Sequence, residues 1–370
     1  MSPPTLLRQF NPALSGVFCF YTIFATMNLP NNKPVEFRSD TFTLPTQAMK
    51  EVMLAAPLGD DVFGEDPSIN QLQNFAADYF GMEAALFAPS GTMTNQIAIN
   101  VHTQPGDEVI CDEGSHVYYY EGGGIAKNSG AQVRLIQGDR GRITAKQIAE
   151  LINPDDVHRA RTSLVTLENT CNRGGGACYN LNDITAIAKL CKDQGLKLHL
   201  DGARLMNAIV AGNQDPKWYG EHFDSISVCL SKGLGAPVGS LLLGSLSFIK
   251  EAKRVRKVMG GGMRQAGMLA AAGLYALQHH VGRLKLDHDH AKQLEIVLKQ
   301  MPWVDNILPV ETNIVILNLA NYISAQEIVA KMAAKHIKVS ALSNKQIRLV
   351  THLDISSSEI DYTCDVLKFL

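Results

Sequence analysis

The chain has 370 residues, of which 46% are hydrophobic and 19% charged, with a formal net charge of −2. That length exceeds one ordinary core and suits two packed domains of a globular protein. The near-neutral charge excludes the basic excess that nucleic-acid phosphates demand, and seven scattered cysteines without metal or disulfide spacing read as reduced thiols of a cytoplasmic protein.

Residues 1–33 stand apart from the rest. Phe10 to Thr26 is apolar and aromatic, yet shorter than the roughly 20 residues that span a bilayer. One upstream Arg8 and a faint cleavage pattern make a weak signal peptide. The expectation is an extension produced by an upstream start codon, with Met27 as the natural start and no membrane partner.

From Val35 onward short apolar runs alternate with helical patterns. Strands are expected at Ala84 to Ala88, Glu108 to Asp112, Val133 to Gln137, Ser163 to Glu168, Lys197 to Asp201, Ser225 to Leu230 and Gly239 to Leu243. A helix follows the first through Ile99, and another runs from Asn182 to Gln194. Such alternation indicates an α/β fold with a mostly parallel central sheet. A long helical tract is expected from Gly267 through Gln300. Then strand Asn313 to Leu319, helix Ala325 to Lys335, strand Gln346 to Thr351 and helix Ser357 to Leu370 form a compact unit. The expected division is a large domain over 34–280 and a smaller C-terminal α/β domain over 281–370.

Three loops carry chemistry. Ser90-Gly91-Thr92 lies between a strand and a helix, where unsatisfied N–H groups make an anion site; an N-cap is its ordinary reading. Asp201 closes an apolar strand, where ligands of parallel sheets collect. It can bind a protonated ring nitrogen or merely cap a helix. Lys232 follows the apolar strand Ser225 to Leu230. A buried ammonium is costly, which imine formation avoids, whereas a snorkelling lysine avoids it by reaching water. Phosphate loop, ring-nitrogen carboxylate and imine lysine, in that order, point to a pyridoxal 5'-phosphate (PLP) enzyme.

Longer motifs narrow the class. They include Phe37-Arg38-Ser39-Asp40-Thr41, the run Gly59 to Pro67, Ala88-Pro89-Ser90-Gly91-Thr92-Met93, Ser115-His116 and Glu168-Asn169-Thr170. Asp201-Gly202-Ala203-Arg204, the run Cys229 to Gly235, Gly260 to Gln265 and Ile347 to His352 continue the series. With these the chain, from Val35 to its end, resembles the L-threonine aldolases of low-specificity and allo-threonine type, which have the fold-type I PLP-dependent transferase-like fold.

The resemblance implies roles. Lys232 holds PLP as a Schiff base, Asp201 pairs with the pyridine nitrogen, and His116 stacks on the ring. Ser90, Gly91 and Thr92 hold the phosphate, assisted by Arg264 from the same or a neighbouring subunit. Arg204 serves the cofactor and, with Ser39 and Arg348, the substrate carboxylate, which suits the bidentate guanidinium fork. His158 and Tyr120 match positions near the substrate hydroxyl, and His158 or His116 is the expected base. No metal is expected. Phe63 stands where the family commonly has Tyr, and Cys171 where it often has His. The implied reaction is retro-aldol Cα–Cβ cleavage of L-threonine or L-allo-threonine, by a homodimer or homotetramer with shared sites. An aminotransferase, a β-eliminating lyase or a non-enzymatic PLP-binding protein of the same fold are the alternatives.

Overall fold

A computed structural model describes residues 33–370; the segment read as an N-terminal extension lies outside them, apart from Lys33. In chain order the strands are β1 (Val35–Glu36), β2 (Ala84–Ala88), β3 (Glu108–Asp112), β4 (Gln132–Ile136), β5 (Thr162–Glu168), β6 (Lys197–Gly202), β7 (Ser225–Cys229), β8 (Ser240–Gly244), β9 (Val304–Ile307), β10 (Ile314–Leu319), β11 (Ile337–Lys338), β12 (Ser340–Ser343) and β13 (Gln346–Val350).

Seven of these form the central sheet in the order β2-β8-β7-β6-β5-β3-β4. Strands β4, β3, β5, β6 and β7 pair parallel, and β8 is antiparallel to both β7 and β2. Every residue of β3, β7 and β8 is buried, as expected of strands covered on both faces. The helix Gly91–His102 starts at the N-cap Ser90, and Leu181–Asp193 at Asn180. Pro67–Phe80 starts at Asp66 with proline in its first turn, where the missing N–H costs nothing.

The expected tract from Gly267 to Gln300 is two helices, Gly267–His279 and Leu284–Leu298. Gly282 sits in the break, and His280 Nδ1 bonds the Leu234 carbonyl at 2.7 Å. The first helix lies tight on the core: a Cβ on Gly273 would stand 2.7 Å from Leu230 Cδ1.

A second sheet, β12-β13-β10-β9, is antiparallel throughout. It has its own apolar cluster, with Leu294, Leu317, Ile328, Leu349 and Ile360 all buried. Val35 and Phe37 belong to that cluster, because β1 pairs in parallel with β11 and Phe37 O accepts from Val350 N at 2.8 Å. The chain then turns back and brings Asp40 to Arg204, just beyond the carboxyl end of the middle strand β6. Among the described residues no helix is long and apolar enough to cross a membrane.

Candidate active site

The carboxyl ends of the parallel strands gather the chemistry-bearing loops, as open α/β sheets dictate. A cavity of about 260 Å³ is lined by Ser90, Gly91, Thr92, His116, Asp201 and Lys232, together with Asn95. Residues from four separate motifs thus share one space.

One wall is the head of the helix Gly91–His102. Ser90 Oγ accepts from Met93 N at 3.2 Å, so Ser90 is an N-cap. Gly91 and Thr92 line the cavity, and their N–H groups precede the first carbonyl their own helix can offer. They carry the positive end of the helix dipole, which favours an anion. One turn on, Thr94 Oγ1 bonds Ser227 Oγ at 2.5 Å and Ser240 Oγ at 3.1 Å, tying the helix head to β7 and β8.

Asp201 is 2% exposed. Its Oδ1 accepts from Ala203 N at 3.1 Å and its Oδ2 from Asn95 Nδ2 at 3.0 Å. Lys232 lies three residues beyond β7, the parallel neighbour of β6. Its carbonyl accepts from Thr43 Oγ1 at 2.9 Å. Among the described residues its amine has no carboxylate partner.

His116 is held at two points: its backbone N donates to Glu168 Oε2 at 2.7 Å, and Nδ1 bonds Glu121 Oε1 at 2.9 Å. Burial pulls its imidazole pKa down, but the Glu121 bond and the charge of Asp201 outweigh burial, so the net direction is up. Ligand atoms of His116, Glu121 and Asp201 approach within 4.8 Å. Asn95 Nδ2 donates to both carboxylates, so donors knit this cluster together.

Glu168, at the end of β5, links this cavity to a second polar group. Its Oε1 accepts from Asn172 N at 2.8 Å. Burial and then the charge of Asp201 push its carboxyl pKa up to about 7. Asn172 Oδ1 in turn accepts from Arg348 Nη1 at 2.9 Å and from Arg204 Nη1 at 3.4 Å. Two guanidiniums therefore meet on one neutral oxygen.

Their remaining partners differ. Arg204 is bidentate to Asp40, with Nε to Oδ2 at 2.7 Å and Nη2 to Oδ1 at 2.6 Å, and both residues are buried. Burial resists the charge on Asp40, but Arg204 overcomes it and holds the carboxyl well below its usual range. Arg348 gives Nη2 to Arg38 O at 3.0 Å, while its buried Nε has no partner. Burial and the nearby Arg204 both lower its pKa. Such a cation with an unsatisfied edge is arranged to receive an anion.

Several expected positions differ from their assigned places. His158 is exposed and bonds Asp156 Oδ1 at 2.9 Å. It precedes β5 at the amino end of the sheet, and seven residues of strand put it about 20 Å from the carboxyl end. Arg264 is outside the cavity of its own chain, pairing with Asp60 at 2.9 Å near the exposed Phe63 ring. Ser39 is spent as the N-cap of the turn Asp40–Phe42, and Arg204 is claimed by Asp40. Tyr120 stays close: its ring centroid is 5.6 Å from that of His116, and its hydroxyl accepts from Arg173 Nη1 at 2.9 Å. Cys171 is buried with Sγ donating to Glu168 O at 3.1 Å.

Asn95, Glu121, Asn172 and the pairing role of Asp40 were missed at the level of sequence. Asn95 lies one turn into the phosphate-loop helix and Glu121 five residues after His116, so proximity to known motifs was the available signal. Asn172 lies two residues after the Glu168-Asn169-Thr170 motif, and the same signal was available for it.

Comparison with known proteins supplies a lineage. The model of the beta-eliminating lyase family matches residues 36–322. The low specificity L-threonine aldolase of Escherichia coli K12 is 41% identical over 327 residues, 88% of this chain and 96% of that protein. Low-specificity L-threonine aldolase 1 of Arabidopsis thaliana is 40% identical over 338 residues, 90% and 94% of the two chains. Among solved structures, the threonine aldolase of Leishmania major superposes with a TM-score of 0.79 at 20% identity, covering 91% of this chain and 99% of that one.

Proposed function

Because the chain belongs to the beta-eliminating lyase family, and within it to the low-specificity L-threonine aldolases, we infer that it is a PLP-dependent carbon–carbon lyase. It cleaves L-threonine and L-allo-threonine to glycine and an aldehyde. The observation that carries this is one cavity lined by Lys232, whose amine has no carboxylate partner among the described residues, by the buried Asp201 and by the helix-head residues Gly91 and Thr92. These groups fit PLP part by part: carbonyl carbon, pyridine nitrogen and phosphate.

When bound, PLP supplies a sink for the electron pair released as Cα–Cβ breaks. The chain's own residues do the rest. Lys232 is the residue that holds the cofactor covalently, Asp201 keeps a proton on the ring nitrogen, and the N–H groups of Gly91 and Thr92 receive the phosphate. Arg348 grips the substrate carboxylate, with Arg204 close by and already neutralised by Asp40. That grip turns Cα–Cβ toward the reactive direction and fixes the β-hydroxyl. His116, oriented through Nδ1 by Glu121, takes the hydroxyl proton on Nε2, directly or through a water. His158 and Arg264 serve this chemistry only across a subunit boundary.

That boundary is part of the proposal: the protein works as a homodimer or homotetramer with shared sites. Leu44, Leu54 and Phe63 are exposed, and burying them between subunits would bring Arg264 along with Phe63. The six described cysteines are all unpaired, which supports a cytoplasmic setting and a place in threonine breakdown and glycine formation.

The test is direct. Protein with PLP is given L-threonine or L-allo-threonine, and acetaldehyde is followed through NADH oxidation by alcohol dehydrogenase. Acetaldehyde with equimolar glycine is expected; a keto acid or ammonia in its place would move the protein to transamination or β-elimination. Lys232→Ala should lose the visible cofactor band and nearly all turnover, and a wild-type rate would refute its role.

A further inference from the structure

Behind Asp201 a row of polar side chains, all buried except the half-buried His102, runs along the sheet. Asn95 Nδ2 donates to Asp201 Oδ2 at 3.0 Å and to Glu121 Oε1 at 2.9 Å. His199 Nε2 lies 3.2 Å from Asn95 Oδ1, and its Nδ1 lies 2.8 Å from Ser225 Oγ. His102 Nε2 lies 2.8 Å from the same Ser225 Oγ. His199 and Ser225 face each other in the β6–β7 register, two residues before Asp201 and Ser227 do.

Each proton in this row can be placed. Two carboxylates need donors, so the amide nitrogen of Asn95 must face them and its oxygen must face His199. Nε2 of His199 therefore carries the hydrogen, and because burial pulls this imidazole down to about 3 the ring is neutral and Nδ1 is bare. Ser225 spends its only hydrogen on that Nδ1, so His102 must donate to Ser225 from Nε2. Burial likewise pulls His102 down to about 4, so its ring is neutral with its one hydrogen on Nε2. All donors point one way, toward the cavity.

We propose that His199 is a positioning residue: its Nε2 hydrogen locks the Asn95 amide, which clamps Asp201 and Glu121 in place for the cofactor ring and for His116. Without that hydrogen, the Asn95 oxygen loses its only side-chain donor among the described residues and the amide is free to rotate. Asp201 then loses one of its two hydrogen-bond donors. The clamp rests on the reading that this cavity binds PLP.

The experiment needs no substrate. Cofactor dissociation constants and the pH midpoint of the visible cofactor band are measured for wild type, His199→Leu, His199→Gln and Ser225→Ala. His199→Leu should weaken cofactor binding about tenfold, the worth of one such hydrogen bond, and should displace the midpoint. His199→Gln, which can still offer an N–H to Asn95, should recover most of both. Ser225→Ala lies outside the lining of the cavity and should shift both readouts in the same direction by less; it reads the clamp even where His199→Leu does not fold. Folded His199→Leu or Ser225→Ala proteins with wild-type affinity and midpoint would overturn the clamp alone. A wild type with no cofactor band would overturn the PLP reading, and the clamp with it.

Discussion

Replacing Arg348 by lysine separates carboxylate recognition from cofactor binding. Arg348 reaches Asn172 Oδ1 at 2.9 Å and Arg38 O at 3.0 Å, and its Nε is buried without a partner. A substrate carboxylate satisfies that edge through charge-assisted bonds worth about 1.5–3 kcal/mol each. Lysine keeps the charge but presents a point donor in place of the planar fork. Loss of one such bond raises KM for L-threonine roughly 10- to 150-fold, since about 1.4 kcal/mol is a factor of ten. Arg348 is outside the lining of the cofactor cavity, so the cofactor dissociation constant should stay within about twofold. Steady-state acetaldehyde release gives KM, and absorbance titration gives cofactor affinity. A KM within twofold of wild type would refute the carboxylate assignment. A matched loss of cofactor affinity would show that Arg348 supports the fold of the site and does not grip the substrate.

Two further perturbations test neighbouring groups. Asn172→Asp puts a carboxylate between Arg204 and Arg348, where it would take the substrate's place; KM should rise at least about tenfold with cofactor affinity intact, and an unchanged KM would argue that the two guanidiniums do not act together. Glu168 has its pKa pushed up by burial and then by Asp201, to about 7 from an ordinary 4.5. Folded protein keeps a proton there that the unfolded chain has released, so this group's contribution is full below pH 4.5 and is lost as pH rises through about 7. Urea unfolding of cofactor-free Glu168→Gln should therefore lose less stability between pH 5 and 8 than wild type, by on the order of a few kcal/mol; parallel slopes would sink the argument.

Much of the framework was legible in advance for a local reason. Strands β2, β3, β4, β5, β6, β7, β8, β10 and β13 fall within a residue or so of the apolar runs that announced them, because such strands advertise themselves by composition. The short strands β1, β11 and β12 carry no such signal and form only because a partner strand lies beside them. The break at His280 to Arg283 holds Gly282, a poor helix former, and there His280 also bonds the Leu234 carbonyl, 46 residues away; the helical pattern on either side concealed it.

The same division runs through the site. Lys232, Asp201 and the Ser90-Gly91-Thr92 loop drew notice in the sequence because each follows a strand or opens a helix, whereas His116 was named only through the family resemblance; all of them line one cavity. Tertiary structure alone decided that Asp40 neutralises Arg204, that Asn172 draws two cations onto one oxygen, and that Asn95 joins Asp201 to Glu121. It also put His158 at the amino end of its own sheet. A motif records what a residue can do chemically. Which partner satisfies a buried charge is settled by segments that meet only after the chain has folded, and sequence separation carries no trace of that meeting.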